Sequence, residues 1–353
     1  MTETDPPRIA IVTTLRNEGP HLVEWVAHHR AAGADTILAF SNDCEDGSDR
    51  LLDLLAAGGA LTHVAQRVPE GQRPQWAALR AAARHPAVVS ADWVAVLDGD
   101  EFVNLRAPLD GLPDLLAAVP GADAIVLPWR LFGHAGHVGR PEASTLPSYD
   151  RAIPADAAFP PLARFFKTLY RREAFDGPGI HRPRQRPEAR PSWVDGSGRP
   201  LAPDIAGDAE RILLWGEALA TDLVQLNHYS VRSAEDFVMK AARGLPNRQG
   251  KAVDLTYWVE RNFNEVRDRT ILRMAPATRV EAARLRRLPG IAEAEAACLG
   301  WHRRRFAQML RDPAILHLFG RLILSAASAA PPAELAHRLV QLAQRAGEDQ
   351  KKA

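Results

Sequence analysis

The apolar positions of the chain fall into two regimes. In the first, short buried runs alternate with amphipathic stretches: Arg8 to Leu15 (RIAIVTTL) reads as a strand, Arg16-Asn17-Glu18-Gly19-Pro20 as a loop, and His21 to Ala32 as a helix. In that helix Leu22, Trp25, Val26 and His29 share a face. Gly33 stops it, and residues 36–40 give a second strand. A helix over 48–57, a strand over 61–65, a helix over 74–84 and strands over 93–97 and 124–128 continue the rotation. Strand, loop and helix in this order predict an α/β fold around a mostly parallel, Rossmann-like sheet.

The second regime begins with two irregular tracts, 133–158 and 177–203, rich in Gly, His, Pro and Arg. They predict loops around a site, or a flexible lid, rather than linkers. After an apolar run at 223–229, helices are predicted over 233–243, 254–261, 279–288, 302–310, 314–327 and 332–345, with a frayed tail from 349. The last helix puts Leu335, Leu339, Val340, Leu342 and Ala343 on one face, to be covered by the main domain or by a second copy in a homodimer. The expected division is one α/β domain over 8–275 and a C-terminal helical extension over 276–348.

Composition narrows the class. With 353 residues, 46% hydrophobic and 25% charged, the chain is neither disordered nor a small disulfide scaffold. Lys plus Arg is 44 against 43 Asp plus Glu, so no global field favours nucleic acid, and none is expected as a partner. Cys44 and Cys298 form neither a disulfide framework nor a zinc cluster. The acids and prolines of the first residues do not read as a signal peptide, so a cytoplasmic location is expected, with peripheral attachment at the inner face of a membrane left open.

The richest segment is Asp92-Trp93-Val94-Ala95-Val96-Leu97-Asp98-Gly99-Asp100-Glu101-Phe102. A buried strand delivers three carboxylates to the C-terminal edge of a parallel sheet, where open α/β folds bind ligands. Carboxylates this close repel unless a cation relieves them, and hard oxygen ligands suit Mg²⁺ or Mn²⁺ holding a diphosphate. An acidic turn after a strand is the plainer alternative.

With Thr13-Thr14-Leu15-Arg16-Asn17-Glu18-Gly19, Glu24-Trp25, Ser41-Asn42-Asp43-Cys44-Glu45-Asp46-Gly47-Ser48 and Asn227-His228-Tyr229-Ser230, that segment resembles bacterial glycosyltransferases of family 2. The resemblance is to the branch similar to family 92, with the GT-A fold. It implies a metal-dependent, inverting glycosyltransferase that moves a sugar from a nucleotide-diphosphate sugar, by default a uridine diphosphate sugar, to a glycan or glycolipid hydroxyl. Polysaccharide biosynthesis is the implied setting. Thr13, Arg16, Glu18, Asp43, Asp46 and Asp98 match the donor side, while Asp98, Asp100 and His228 match the ligands of Mn²⁺ or Mg²⁺. Trp129, Arg130, His181, Lys240 and Arg243 are expected near the acceptor or diphosphate. For the base that deprotonates the acceptor, Glu173, Asp176 and Asp150 are candidates from their positions beside the loops.

Each position also has a structural alternative: Arg16 paired with Glu18, Asp43 and Asp46 in a turn and helix cap, His228 as a core histidine, Trp129 as core closure. Two other functions compete. A metal-dependent sugar nucleotidyltransferase shares the sheet and acidic site, but Arg16-Asn17-Glu18-Gly19 stands where its glycine-rich triphosphate loop is expected. A non-catalytic carbohydrate-binding scaffold of the same fold is the other.

Overall fold

Apolar residues fill β1 (Ile9–Leu15) so completely that both its faces are buried, which makes it a central strand. In the computed structural model, which describes residues 6–69, 71–215, 220–243, 253–325 and 327–352, β1 lies between two parallel neighbours. These are β2 (Thr36–Ser41), with Ala10 opposite Thr36, and β4 (Trp93–Val96), with Ile9 opposite Trp93. The short β3 (Thr62–Ala65) adds in parallel outside β2.

Beyond β4 the direction changes. β8 (Phe166–Arg171) runs antiparallel between β4 and β6 (Ala124–Leu131). β10 (Val224–His228) is parallel to β6, and β5 (Glu101–Leu105) closes the edge antiparallel to β10. With β9 (Trp193–Val194) beside β6, nine strands form one sheet in the order β3-β2-β1-β4-β8-β6-β10-β5, five of its eight pairings parallel. A two-stranded ribbon, β7 (Arg151–Ala152) with β11 (Val266–Arg267), stands apart. The fold is the α/β class expected, with β5, β8 and β9 as strands the sequence did not announce.

Helix α1 (Gly19–Ala31) starts with Pro20 in its first turn and presents Leu22, Trp25 and Val26 to the core, while α2 (Ser48–Ala57) and α3 (Pro74–Ala82) follow β2 and β3. The C-terminal helices pack on this unit. On the helix Ala275–Arg286, Thr278 meets His28 of α1 at 3.1 Å and Glu281 accepts from Arg30 at 2.7 Å. The helix Ile291–Met309 begins eleven residues before its predicted start and packs so closely that a Cβ on Gly19 would lie 2.5 Å from Cys298 Sγ. The last helix, Ala333–Lys352, continues through the expected frayed tail.

The irregular tracts are fastened. Glu24 accepts the backbone N–H groups of Thr145 and Leu146 at 2.6 and 3.1 Å. Arg182, over the Trp193 ring, donates to the carbonyls of Ile205, Ala206 and Arg211.

Candidate functional site

β4 ends where its last residues reach the edge of the sheet, and the chain reverses there: the N–H of Glu101 donates to the carbonyl of Asp98 at 3.0 Å, and β5 begins. The turn is held from both sides. Trp25 Nε1 donates to the carbonyls of Asp98 and Glu101 at 3.1 and 2.9 Å, and Arg232 donates to that of Gly99 at 3.0 Å. A Cβ on Gly99 would lie 2.7 Å from Leu15 Cδ2, so a larger residue there needs the buried Leu15 side chain to shift. Gly99→Ala is expected to cost about 1–3 kcal/mol in denaturant unfolding, and Leu15→Ala in the same chain should reduce the penalty attributable to the clash. An unchanged midpoint in the single variant would show that β1 gives way freely.

The turn's carboxylates divide between two lysines. Asp98, one-third exposed, accepts from Gln75 of α3 at 2.9 Å and from Lys167 of β8 at 3.1 Å. Lys167 is fully buried and lies 3.6 Å from Glu101, whose carboxylate also accepts the N–H of Asp98. Burial would lower the ammonium, yet Asp98 and Glu101 together raise it. Burial pushes the Glu101 carboxyl well above the usual carboxylate range despite Lys167.

Asp100 points the other way. One oxygen is 3.5 Å from His228 Nε2 and the other accepts from Lys240 at 2.7 Å, with the Ser230 carbonyl taking a second bond from the same ammonium at 2.9 Å. Burial opposes ionisation of Asp100, but Lys240 and His228 outweigh it and hold the carboxyl well below its ordinary range. Burial lowers His228 despite Asp100, which favours a neutral imidazole. Trp129 packs on His228 with ring centroids 4.2 Å apart and on His181 at 5.4 Å. Burial and then Lys167 depress His181 to about 4. Sequence-predicted Asp98, Asp100, Trp129, His181, His228 and Lys240 therefore gather around one edge.

On the first-strand side, Arg16 Nε donates to the carbonyl of Asp43 at 3.2 Å, and the exposed Asp43 sits in the left-handed region at φ 48°. Arg243 donates to the carbonyl of Arg16 and pairs with Glu18. Glu18 also holds Arg232 at 3.0 Å; burial opposes its charge, but Arg243 and Arg232 outweigh it and bring the carboxyl to about 2.

Several expectations are corrected. Glu18 is an internal anchor for the chain around Arg232 and Arg243, with both oxygens engaged, and is not open to a nucleotide. Asp46 is closed likewise: it accepts from the N–H of Gly19 and from the N–H and hydroxyl of Ser48, and meets His302 at 2.9 Å. Thr13 is buried inside β1. Arg130 alternates with Trp129 on β6 and so faces the other side of the sheet, opposite Asn227. Glu173 and Asp176 follow β8, whose Arg171 pairs with Trp93 at the start of β4; antiparallel β8 thus carries them to the edge remote from Asp100. Asp150 is paired with Arg269 and Arg267 at 2.8 and 3.1 Å. None of these three is placed to deprotonate an acceptor at the acidic turn. Gly244, next to Arg243, lies outside the described residues.

Sequence reasoning missed Lys167, Gln75 and Arg232. Lys167 sits in Phe-Lys-Thr-Leu-Tyr-Arg, where buried polar positions hide the strand period. A lysine amid apolar residues, unpaired locally, was the available signal.

As to a divalent cation, no three metal-ligating side chains of His, Cys, Asp and Glu converge among the described residues. The expected trio is not assembled: Asp98 turns to Gln75 and Lys167, while Asp100 faces His228. Asp100 and His228 do fit: an ionised carboxylate faces a neutral imidazole whose other nitrogen, Nδ1, has no hydrogen-bond partner. Two protein ligands with substrate oxygens completing the shell suit Mg²⁺, and Mn²⁺ accepts the same donors.

No family model matches the chain. Among curated proteins, a glycosyltransferase family 92 protein of Ricinus communis is 30% identical over 105 residues, 30% of this chain and 18% of that protein, so the chain spans under a fifth of the relative's length. Solved structures that overlap in part include S. aureus TarS, 15% identical over 47% of this chain and 29% of that one, with a TM-score of 0.30. Another is glucosyl-3-phosphoglycerate synthase from Mycobacterium tuberculosis with Mg²⁺ and uridine diphosphate, 15% identical over 48% and 58%, with a TM-score of 0.27. The fold rests on its own strand order rather than on these superpositions. The likeness to the family 92 branch is present in sequence, over 105 residues of this chain.

Proposed function

We propose that the chain is a glycosyltransferase that takes a nucleotide-diphosphate sugar, in the first instance a uridine diphosphate sugar, and passes the sugar to a glycan or glycolipid hydroxyl. The observation that carries this is the turn at the end of β4, where Asp100 stands between His228 at 3.5 Å and Lys240 at 2.7 Å. The nucleoside would lie across the ends of β1 and β2, beside Arg16 and the exposed Asp43. Asp98, open to solvent on one side, would accept hydrogen bonds from the ribose.

The diphosphate would then meet fixed positive charge. Lys240 is already oriented by Asp100 and by the Ser230 carbonyl, so it needs little reorganisation as negative charge grows on the leaving group. When bound, Mn²⁺ or Mg²⁺ would be held by Asp100 and His228 and would supply further neutralisation of that charge. Trp129, buried against His181 and His228, would fix the orientation of these two rings beside the diphosphate.

Calorimetric titration of uridine, guanosine and thymidine diphosphates and their sugar conjugates, with and without Mn²⁺, tests the proposal. Micromolar binding of a sugar nucleotide, weakened at least about tenfold by Arg16→Ala, is expected; about 1.4 kcal/mol of lost contact corresponds to that factor. Silence across the panel from folded protein would refute it.

A further inference from the structure

The near-zero net charge conceals an asymmetry. Residues 276–345 hold eleven arginines and no lysine against five Asp and Glu, leaving the rest of the chain with thirty-three basic and thirty-eight acidic side chains. Arg284 and Arg286 pair with Glu281 and Glu295. By contrast, the side chains of Arg303, Arg304, Arg305, Arg321, Arg338 and Arg345 make no ion pair or hydrogen bond among the described residues, and all six are exposed.

The same helices expose large apolar side chains. On Pro313–Leu324, Leu322 is buried, with Ile315, Leu318 and Phe319 packed beside the Phe237 and Trp258 cluster. A different stripe, Leu316, Ile323 and Leu324, is left outside, Leu324 at 84% exposure. On Ala333–Lys352, Ala336 is buried, whereas Leu335 and Leu342, two turns apart on one stripe, are exposed. Arg338 and Arg345 follow these leucines by three residues each and so flank that stripe. Apolar side chains bordered by unpaired arginines fit a surface that is anionic outside and apolar just beneath.

We propose that the C-terminal helices dock on the surface of an anionic lipid bilayer, with Leu335 and Leu342 entering the headgroup boundary and the flanking arginines on lipid phosphates. Charge chooses this occupant over a second copy of the chain: two such faces brought together would oppose unpaired arginines. No helix of the described residues is long and apolar enough to cross a membrane, so the contact is peripheral.

Co-sedimentation of the full chain with vesicles of phosphatidylcholine alone, or containing about a third phosphatidylglycerol, tests the proposal and needs no activity. Partitioning should require phosphatidylglycerol and weaken as salt rises from about 0.05 to 0.5 M. Arg338→Glu with Arg345→Glu should lower the partition coefficient at least about tenfold, each basic residue near such a surface being worth about fivefold. Leu335→Ser with Leu342→Ser should lower it as well, with both doubles keeping the wild-type circular dichroism spectrum. Equal sedimentation with both vesicle types, no sedimentation with either, or indifference to both doubles would overturn it. A concentration-dependent dimer in light scattering, lost in the leucine double and without vesicle binding, would assign the face to a second copy instead.

Discussion

Lys167→Met is expected to lower unfolding free energy by about 3–5 kcal/mol, the range for removing one partner of a buried ion pair. Lys167 is fully buried, and its ammonium lies 3.1 Å from Asp98 and 3.6 Å from Glu101. Methionine fills most of the space but leaves Glu101 sealed beside the carboxylate of Asp98. The pH dependence has a definite sign. Burial already places the folded pKa of Glu101 above its ordinary 4.5, so folding favours its neutral form. That contribution is complete below 4.5 and is lost as pH rises through the folded value; without Lys167 the folded value rises further. The gap between variant and wild type should therefore open as pH rises above the folded value of Glu101 in the wild type. Adding Glu101→Gln removes the titrating carboxyl while keeping an oxygen for the N–H of Asp98, and should restore much of the loss. Urea unfolding of the four proteins at two pH values measures this; a single-variant cost under about 1 kcal/mol would mean the carboxylates are screened by water.

Lys167 also marks where the sequence stops being legible. β1, β2 and β4 are buried on both faces by apolar residues, and such runs announce themselves. β5 and β8 are just as buried but carry Glu101, Asn104, Lys167 and Thr168 inside, so neither an apolar run nor a clean alternation is visible. Their satisfaction is tertiary: Lys167 needs Asp98 from the turn after β4, and Asn104 needs Thr270 at 2.8 Å from far along the chain. Missing β8 had a direct consequence for the site. Once its antiparallel course is known, Glu173 and Asp176 fall at the wrong edge of the sheet.

The acidic turn was legible because strand and glycine fix its position locally. The division of labour within it was not. Glu18 belongs to a loop as polar as the one that holds both Asp43 and Asp46, yet Glu18 and Asp46 are closed by Arg232, Arg243 and His302 from more than two hundred residues away. Which carboxylate remains open depends on those distant partners. The C-terminal helices thus bear on the site through Asp46, a contact no local pattern contains.

Asp100→Asn is expected to reduce release of uridine diphosphate from its sugar conjugates about 10²–10³-fold, the usual loss when a preorganised electrostatic contact to a reacting site is removed. Asparagine keeps the shape of the aspartate side chain, so the change isolates the charge. In the wild type that charge has two consequences: it faces His228 at 3.5 Å, and it aligns Lys240, which otherwise keeps the Ser230 carbonyl and the Tyr257 ring. Both bear on the leaving diphosphate, and a loss of transition-state contact should appear chiefly in kcat with a smaller change in KM. Lys240→Met separates the two. If Lys240 contributes its own charge to the diphosphate, the double variant should be slower than Asp100→Asn alone. Were Lys240 only a structural counterion, adding Lys240→Met to Asp100→Asn would instead recover stability, by eliminating an ammonium without its carboxylate, and leave the residual rate unchanged. Rates are to be taken below each variant's melting midpoint, with the folded fraction followed by circular dichroism. Retention of more than about a tenth of the wild-type rate by Asp100→Asn would remove Asp100 from the reacting centre and return the acidic turn to the role its hydrogen bonds already perform, that of closing β4 onto β5.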